Sequence, residues 1–188
     1  MGDLPIDSFP TFLPVACAVI VATICLVTDI LKRRIFNVVT LPAAGIGLIL
    51  GLVLGGWNGL LHSAGGMAVG FALMVLPYYV GGMGAGDVKL MAALGALLGL
   101  APIVQIFLYT AIIGGVIAVV SALSRGTLKR AFRNIADWTT SLILQKVGGV
   151  HGGLKEMQLA QTAGVIPYGV AIALGLFSYL AFGKIVKL

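Results

Sequence analysis

Two aspartates carry the chemistry that this chain can offer. Asp87 closes the tetrapeptide Gly84-Ala85-Gly86-Asp87, at the junction of two long uncharged runs. No Asp, Glu, Lys or Arg lies between Arg34 and Asp87, and none between Lys89 and Arg125. Asp29 ends the first apolar segment in a matching way. An ionisable group among apolar neighbours is costly to hold, so by default it marks function. Two adjacent carboxylates cannot both ionise cheaply, and such a pair shares a proton. The ionised member can take a proton from water while the protonated member polarises a carbonyl. That is peptide hydrolysis without a covalent intermediate. Low-dielectric surroundings strengthen the coupling.

The glycines suit this chemistry. Gly84 and Gly86 are free to take positive φ and leave room for an extended substrate segment to approach the backbone. The plainer reading of the tetrapeptide is a turn and a helix cap by Asp87, whose charge also suits the helix dipole. For Asp29 the plainer reading is an interfacial ion pair with Lys32 and Arg33. Asn37 could hydrogen-bond near the site or cap the next helix. Lys89 could tune Asp87 or extend to the interface. His62 and His151 stand alone, without companion ligands for a metal. Cys17 and Cys25 share one apolar segment, where a helix separates them by about 12 Å, too far for a bridge. No Cys-x-x-Cys pair suggests zinc. The two-carboxylate chemistry calls for no cofactor.

The elements that must position these residues are membrane helices. Of the 188 residues, 60% are hydrophobic and 10% charged, against about 25% charged in a soluble domain. The mean hydropathy of +1.11 excludes a soluble core. The net charge of +6 comes from basic residues in short loops. That is the positive-inside pattern and not a nucleic-acid footprint. A crossing takes about 20 apolar residues. Residues 9–28 make one span. Residues 35–86, broken at Trp57-Asn58-Gly59, make two, 37–56 and 61–80. Spans 87–100 and 103–124 follow, divided at Leu100-Ala101-Pro102, and 164–183 completes six. The expectation is a single all-α integral membrane domain over residues 1–188.

Orientation follows from charge. Lys32, Arg33, Arg34, Lys89, Arg125, Lys129, Arg130, Arg133, Lys146 and Lys155 fall on one side, and only Lys184 and Lys187 on the other. The N-terminus is therefore expected outside, with Asp29 and Asp87 at the cytoplasmic face of the inner membrane. Met1–Pro10 carries Asp3 and Asp7 but no basic residue, the reverse of a signal peptide, so the first span is expected to stay as an anchor. Span 87–100 covers only about 21 Å. Residues Gly81–Gly86 are therefore expected to dip below the interface, buried in protein or lining a wet cavity. Leu128, Phe132, Ile135, Trp138 and Leu142 recur at helical spacing, with Lys129, Arg130 and Arg133 off the stripe. This predicts a basic amphipathic helix on the anionic lipids of the inner leaflet, between the fifth and sixth spans. Gly95 and Gly99 predict close helix packing. Asp137 and Glu156 read as solvated loop charges.

Three stretches resemble the type IV leader-peptidase family, the Gly-x-Gly-Asp prepilin peptidases. Asp29-Ile30-Leu31-Lys32-Arg33-Arg34-Ile35-Phe36-Asn37 is similar to the family's Asp, basic run and Ile-Pro-Asn. Gly84-Ala85-Gly86-Asp87-Val88-Lys89-Leu90, running on into Ala92-Ala93-Leu94-Gly95, is similar to its Gly-x-Gly-Asp-Val-Lys-Leu stretch. Ile166-Pro167-Tyr168-Gly169 is similar to the opening of its last helix. Phe36 departs from the usual Pro, and Val170 stands where Pro is frequent. The resemblance implies that Asp29 and Asp87 are catalytic and that Gly84 and Gly86 shape the site. It implies a prepilin or pseudopilin substrate, with a short basic leader before an apolar helix. With 28 residues before Asp29 and no paired-cysteine loop, the chain resembles the compact members of tight-adherence (Flp-type) pili or the archaeal preflagellin peptidases. Two other readings compete: a small proton- or cation-coupled transporter, and a structural subunit of a pilus or secretion machine. Oligomeric state is not legible.

Overall fold

The computed structural model describes residues 9–79, 83–124, 168–183 and 185. The expected amphipathic helix, Pro167, and Gly81 and Gly82 of the expected dip lie outside the described residues. All regular structure among the described residues is helical: α1 (Phe9–Lys32), α2 (Asn37–Tyr79), α3 (Ala85–Leu98), α4 (Leu100–Ser124) and α5 (Tyr168–Phe182). Phe12–Lys32, Asn37–Tyr79 and Leu100–Ser121 are long and apolar enough to cross a membrane, and α5 is a shorter apolar helix. The chain divides into two compact units, Met1–Ile113 with Pro167–Leu188, and Gly114–Ile166. In the second, residues 114–124 are helical and expose Val116, Val119, Val120 and Leu123. The candidate site residues all belong to the first.

Helix α2 is not one rod. At Gly56 the backbone takes φ 60° and ψ −147°, a conformation open essentially to glycine alone. Gly51 and Gly59 meet across this kink: a Cβ on Gly59 would collide with the Gly51 carbonyl, and one on Gly51 with the Ser63 hydroxyl. The arms 37–55 and 57–79 therefore fold back on each other. The break expected at Trp57-Asn58-Gly59 falls one residue earlier, because Gly56 adopts the positive φ while the next three residues stay helical. The second expected break also moves, from Leu100-Ala101-Pro102 to Gly99 at φ 83°. Pro102 then sits in the first turn of α4, where a missing N–H costs nothing.

Helix α3 is the buried centre of the first unit. From Asp87 to Leu97 every residue except Lys89 is buried, as an all-round apolar helix requires. Glycines let both arms of α2 approach it. A Cβ on Gly47 would lie 2.6 Å from the Ala96 carbonyl carbon. Gly66 and Gly95 meet backbone to backbone, each leaving no room for a Cβ on the other. Gly99 touches the same Gly66, which meets the expectation of close packing at Gly95 and Gly99. Where lipid removes the hydrophobic drive between helices, such close approach supplies the van der Waals contact.

Helix α1 offers a stripe of small residues inward: Ala18, Ala22 and Cys25 are fully buried. Their spacing of four and three residues continues to Asp29, which is also buried. Ile20, Ile24, Val27, Ile30 and Leu31 are exposed on the other sides. Helix α5 packs on α4 through Gly175, where a Cβ would collide with the Thr110 hydroxyl. Its C-terminal end is tied down by Tyr109 Oη donating to the Gly183 carbonyl at 3.2 Å and by Ile185 N donating to Gln105 Oε1 at 3.0 Å.

Candidate active site

Asp29 lies in the last turn of α1, 6% exposed, and Asp87 in the first turn of α3, 8% exposed. The helical stripe of α1 aims Asp29 into the bundle. The start of α3 is brought beside it by Gly86, where a Cβ would lie 2.8 Å from Ile35 Cβ. Asp87 stands close enough to Asp29 to lie in the field of its charge. Cys25, one turn before Asp29, lies in the field of both, and Tyr168 in that of Asp87.

Asp87 is held by its own tetrapeptide. The Gly84 N–H donates to Asp87 Oδ2 at 3.0 Å, and the Asp87 N–H donates to the Gly84 carbonyl at 3.1 Å. Gly84 is thus the N-cap residue, and Asp87, at the third helical position, reaches back to satisfy its N–H. The capping reading of Asp87 is correct in kind but shifted, since α3 begins at Ala85. Neither glycine uses its freedom to take positive φ. Gly84 is extended at φ −83°, and Gly86 is not among the residues with positive φ. Gly86 is required by contact with Ile35, and at Gly84 a Cβ would lie 3.3 Å from Asp87 Oδ2.

Asp29 is held differently. The backbone amides of Gly169 and Val170, in the first turn of α5, act on its carboxyl group as donors, and the Arg33 charge acts on it as well. Oδ2 is nonetheless buried without a partner in hydrogen-bond geometry, as is Thr40 Oγ1. Such orphan atoms in a packed interior call for a water or a ligand. After Asp29 the chain turns at once: the Arg33 N–H donates to the Asp29 carbonyl at 2.8 Å, and Arg33 itself has φ 49°. This is a left-handed helix stop at a non-glycine residue. Lys32 Nζ stands 5.4 Å from the centre of the Phe36 ring, so the Phe that departs from the family pattern takes up a neighbouring cation.

Asn37 and Lys89 come together, but at the surface. Lys89 Nζ donates to Asn37 Oδ1 at 3.0 Å, in an exposed bond that links α2 to α3. Asn37 does not cap α2: the Val39 and Thr40 amides bond the Phe36 carbonyl instead. Among the described residues no group of three or more His, Cys, Asp or Glu converges on a possible metal position. Gly169, Ile35 and Cys25 also line the site, beyond the residues that the sequence marks. The stripe from Ala18 to Asp29 was a readable signal for Cys25.

A family model described as the type IV leader peptidase family matches residues 16–119. That stretch includes Asp29, Asn37, the Gly84–Asp87 tetrapeptide and Lys89. Comparison with curated proteins and with solved structures returns no match.

Proposed function

Because this chain belongs to the type IV leader peptidase family, we propose that it is a membrane-embedded aspartic endopeptidase acting on prepilins. It removes the short basic leader of type IV-like prepilins, of the Flp type, at the cytoplasmic face of the inner membrane. Family membership implies a protease with prepilin substrates in general. The observation that carries the finer reading is the pair of buried carboxyl groups on different helices, Asp87 lying in the field of Asp29.

In this reading one aspartate is ionised and takes a proton from water as the water oxygen attacks the scissile carbonyl carbon. The other is protonated and gives its proton to the carbonyl oxygen, forming a neutral gem-diol. The diol then collapses: the C–N bond breaks, the leaving nitrogen is protonated, and the carboxyl product forms. Burial keeps bulk water from weakening these interactions. The fold-back of α2 supports six crossings, with its two arms counted separately. The basic residues near the ends of α1 and α3 support a cytoplasmic site.

The test is co-expression with a panel of prepilins in a host lacking other prepilin peptidases, with leader loss followed by gel and mass spectrometry. Cleavage at the junction between basic leader and apolar helix is the expected result. No cleavage of any prepilin by well-folded protein would overturn the reading.

A further inference from the structure

Asp29 is pressed upon from outside its own helix. A Cβ on Gly169 would lie 2.7 Å from Asp29 Oδ2 and 3.1 Å from both its Cβ and Cγ. A real Cβ does not come that close, so any side chain at residue 169 would drive the carboxyl group from its place or push α5 away. The contact involves the whole side chain of Asp29 and not one atom. Gly169 is helical and does not take positive φ, so it is glycine for space and not for backbone conformation.

A second observation concerns the carboxylate itself. Asp29 is 6% exposed, and its Oδ2 has no partner in hydrogen-bond geometry. The amides of Gly169 and Val170 face the same carboxyl group from the first turn of α5. A helix N-terminus offers unsatisfied N–H groups and positive potential to an anion. The 15-residue α5 is fixed at its far end by Gly175 on Thr110 and by Tyr109 on Gly183. Its first turn packs on α1, the helix that carries Asp29.

We propose that Gly169 is a positioning residue for Asp29: its missing side chain lets the first turn of α5 seat on the carboxyl group and hold it in one orientation. This rests on the aspartic-peptidase reading above. A catalytic group displaced by about 1 Å can cost roughly 100-fold in rate while binding is preserved.

The test uses the full chain purified in lipid vesicles with a Flp-type prepilin as substrate. Gly169→Ala is compared with Gly51→Ala, a crowded glycine in α2 that meets Ser63 and Gly59 and not Asp29. Activities are scaled to the folded fraction. Gly169→Ala is expected to lower kcat by at least about tenfold with KM unchanged, and Gly51→Ala to keep the wild-type kcat per folded molecule. A kcat loss under about tenfold, or a loss confined to KM, would overturn the inference. If Gly169→Ala does not fold, Asp29→Ala is added to it. Restored folding shows that the added methyl had met Asp29, and continued failure overturns the inference. Cleavage by wild type but not by Asp29→Asn, with normal kcat for Gly169→Ala, removes the inference and leaves the peptidase reading standing. Unchanged cleavage by Asp29→Asn removes both.

Discussion

Gly86 seats against Ile35, with only 2.8 Å left between a Cβ at the glycine and that of the isoleucine. This contact joins the turn after α1 to the first turn of α3, the two helices that carry Asp29 and Asp87 and also pack on each other. A methyl at residue 86 must move Ile35 or lift α3. Gly86→Ala is therefore expected to lower the cleavage rate by roughly tenfold or more, while the protein still assembles. Ile35→Gly removes the colliding Cβ, so the double variant should recover a large part of the rate. Cleavage rates of the two single variants and the double variant check this.

The bond between Lys89 and Asn37 bridges two helices but is exposed. Exposed polar contacts of this kind contribute within about 0.5 kcal/mol. Lys89→Met and Asn37→Ala are each expected to leave thermal stability nearly unchanged and cleavage within about threefold of wild type. Melting in detergent and initial rates check both.

The packing of α3 on α2 has no slack at Gly66 and Gly95. Overpacking of an ordinary core costs about 1–3 kcal/mol, and here the colliding atoms are backbone, which has no rotamer to escape into. Gly95→Val and Gly66→Val are each expected to cost at least that much. The readout is loss of a monodisperse gel-filtration peak and of helical circular dichroism on mild heating.

At Gly56 the constraint is conformational. Nothing stands within 4 Å of where its Cβ would be, yet φ is 60°. Gly56→Ala should therefore destabilise by roughly 1–3 kcal/mol through backbone strain alone, without altering the rate per folded molecule. Thermal unfolding alongside initial rates separates the two effects.

Much of this arrangement is legible in the sequence, and the remainder has a physical reason. The uncharged runs fix apolar helices, and the isolation of Asp29 and Asp87 marks them as costly residues. The stripe Ala18, Ala22, Cys25, Asp29 announces an inward-facing carboxylate. The helix breaks were misplaced because clusters such as Trp57-Asn58-Gly59 signal turns, whereas the chain bends where one glycine, Gly56 or Gly99, adopts positive φ. Sequence alone shows that Gly84 and Gly86 lack side chains, but not that one caps a helix and the other admits Ile35. Contacts such as Gly169 with Asp29 join residues far apart in the chain, and no local pattern encodes their partner.

The most direct test of the two-aspartate account is cleavage of a purified prepilin by wild type, Asp29→Asn and Asp87→Asn, each verified as folded by its melting curve. Loss of either acid from a cooperating pair should remove nearly all of the rate, by roughly a thousandfold or more. Loss in both variants with melting preserved is the predicted result. Wild-type cleavage by either folded variant would contradict the account.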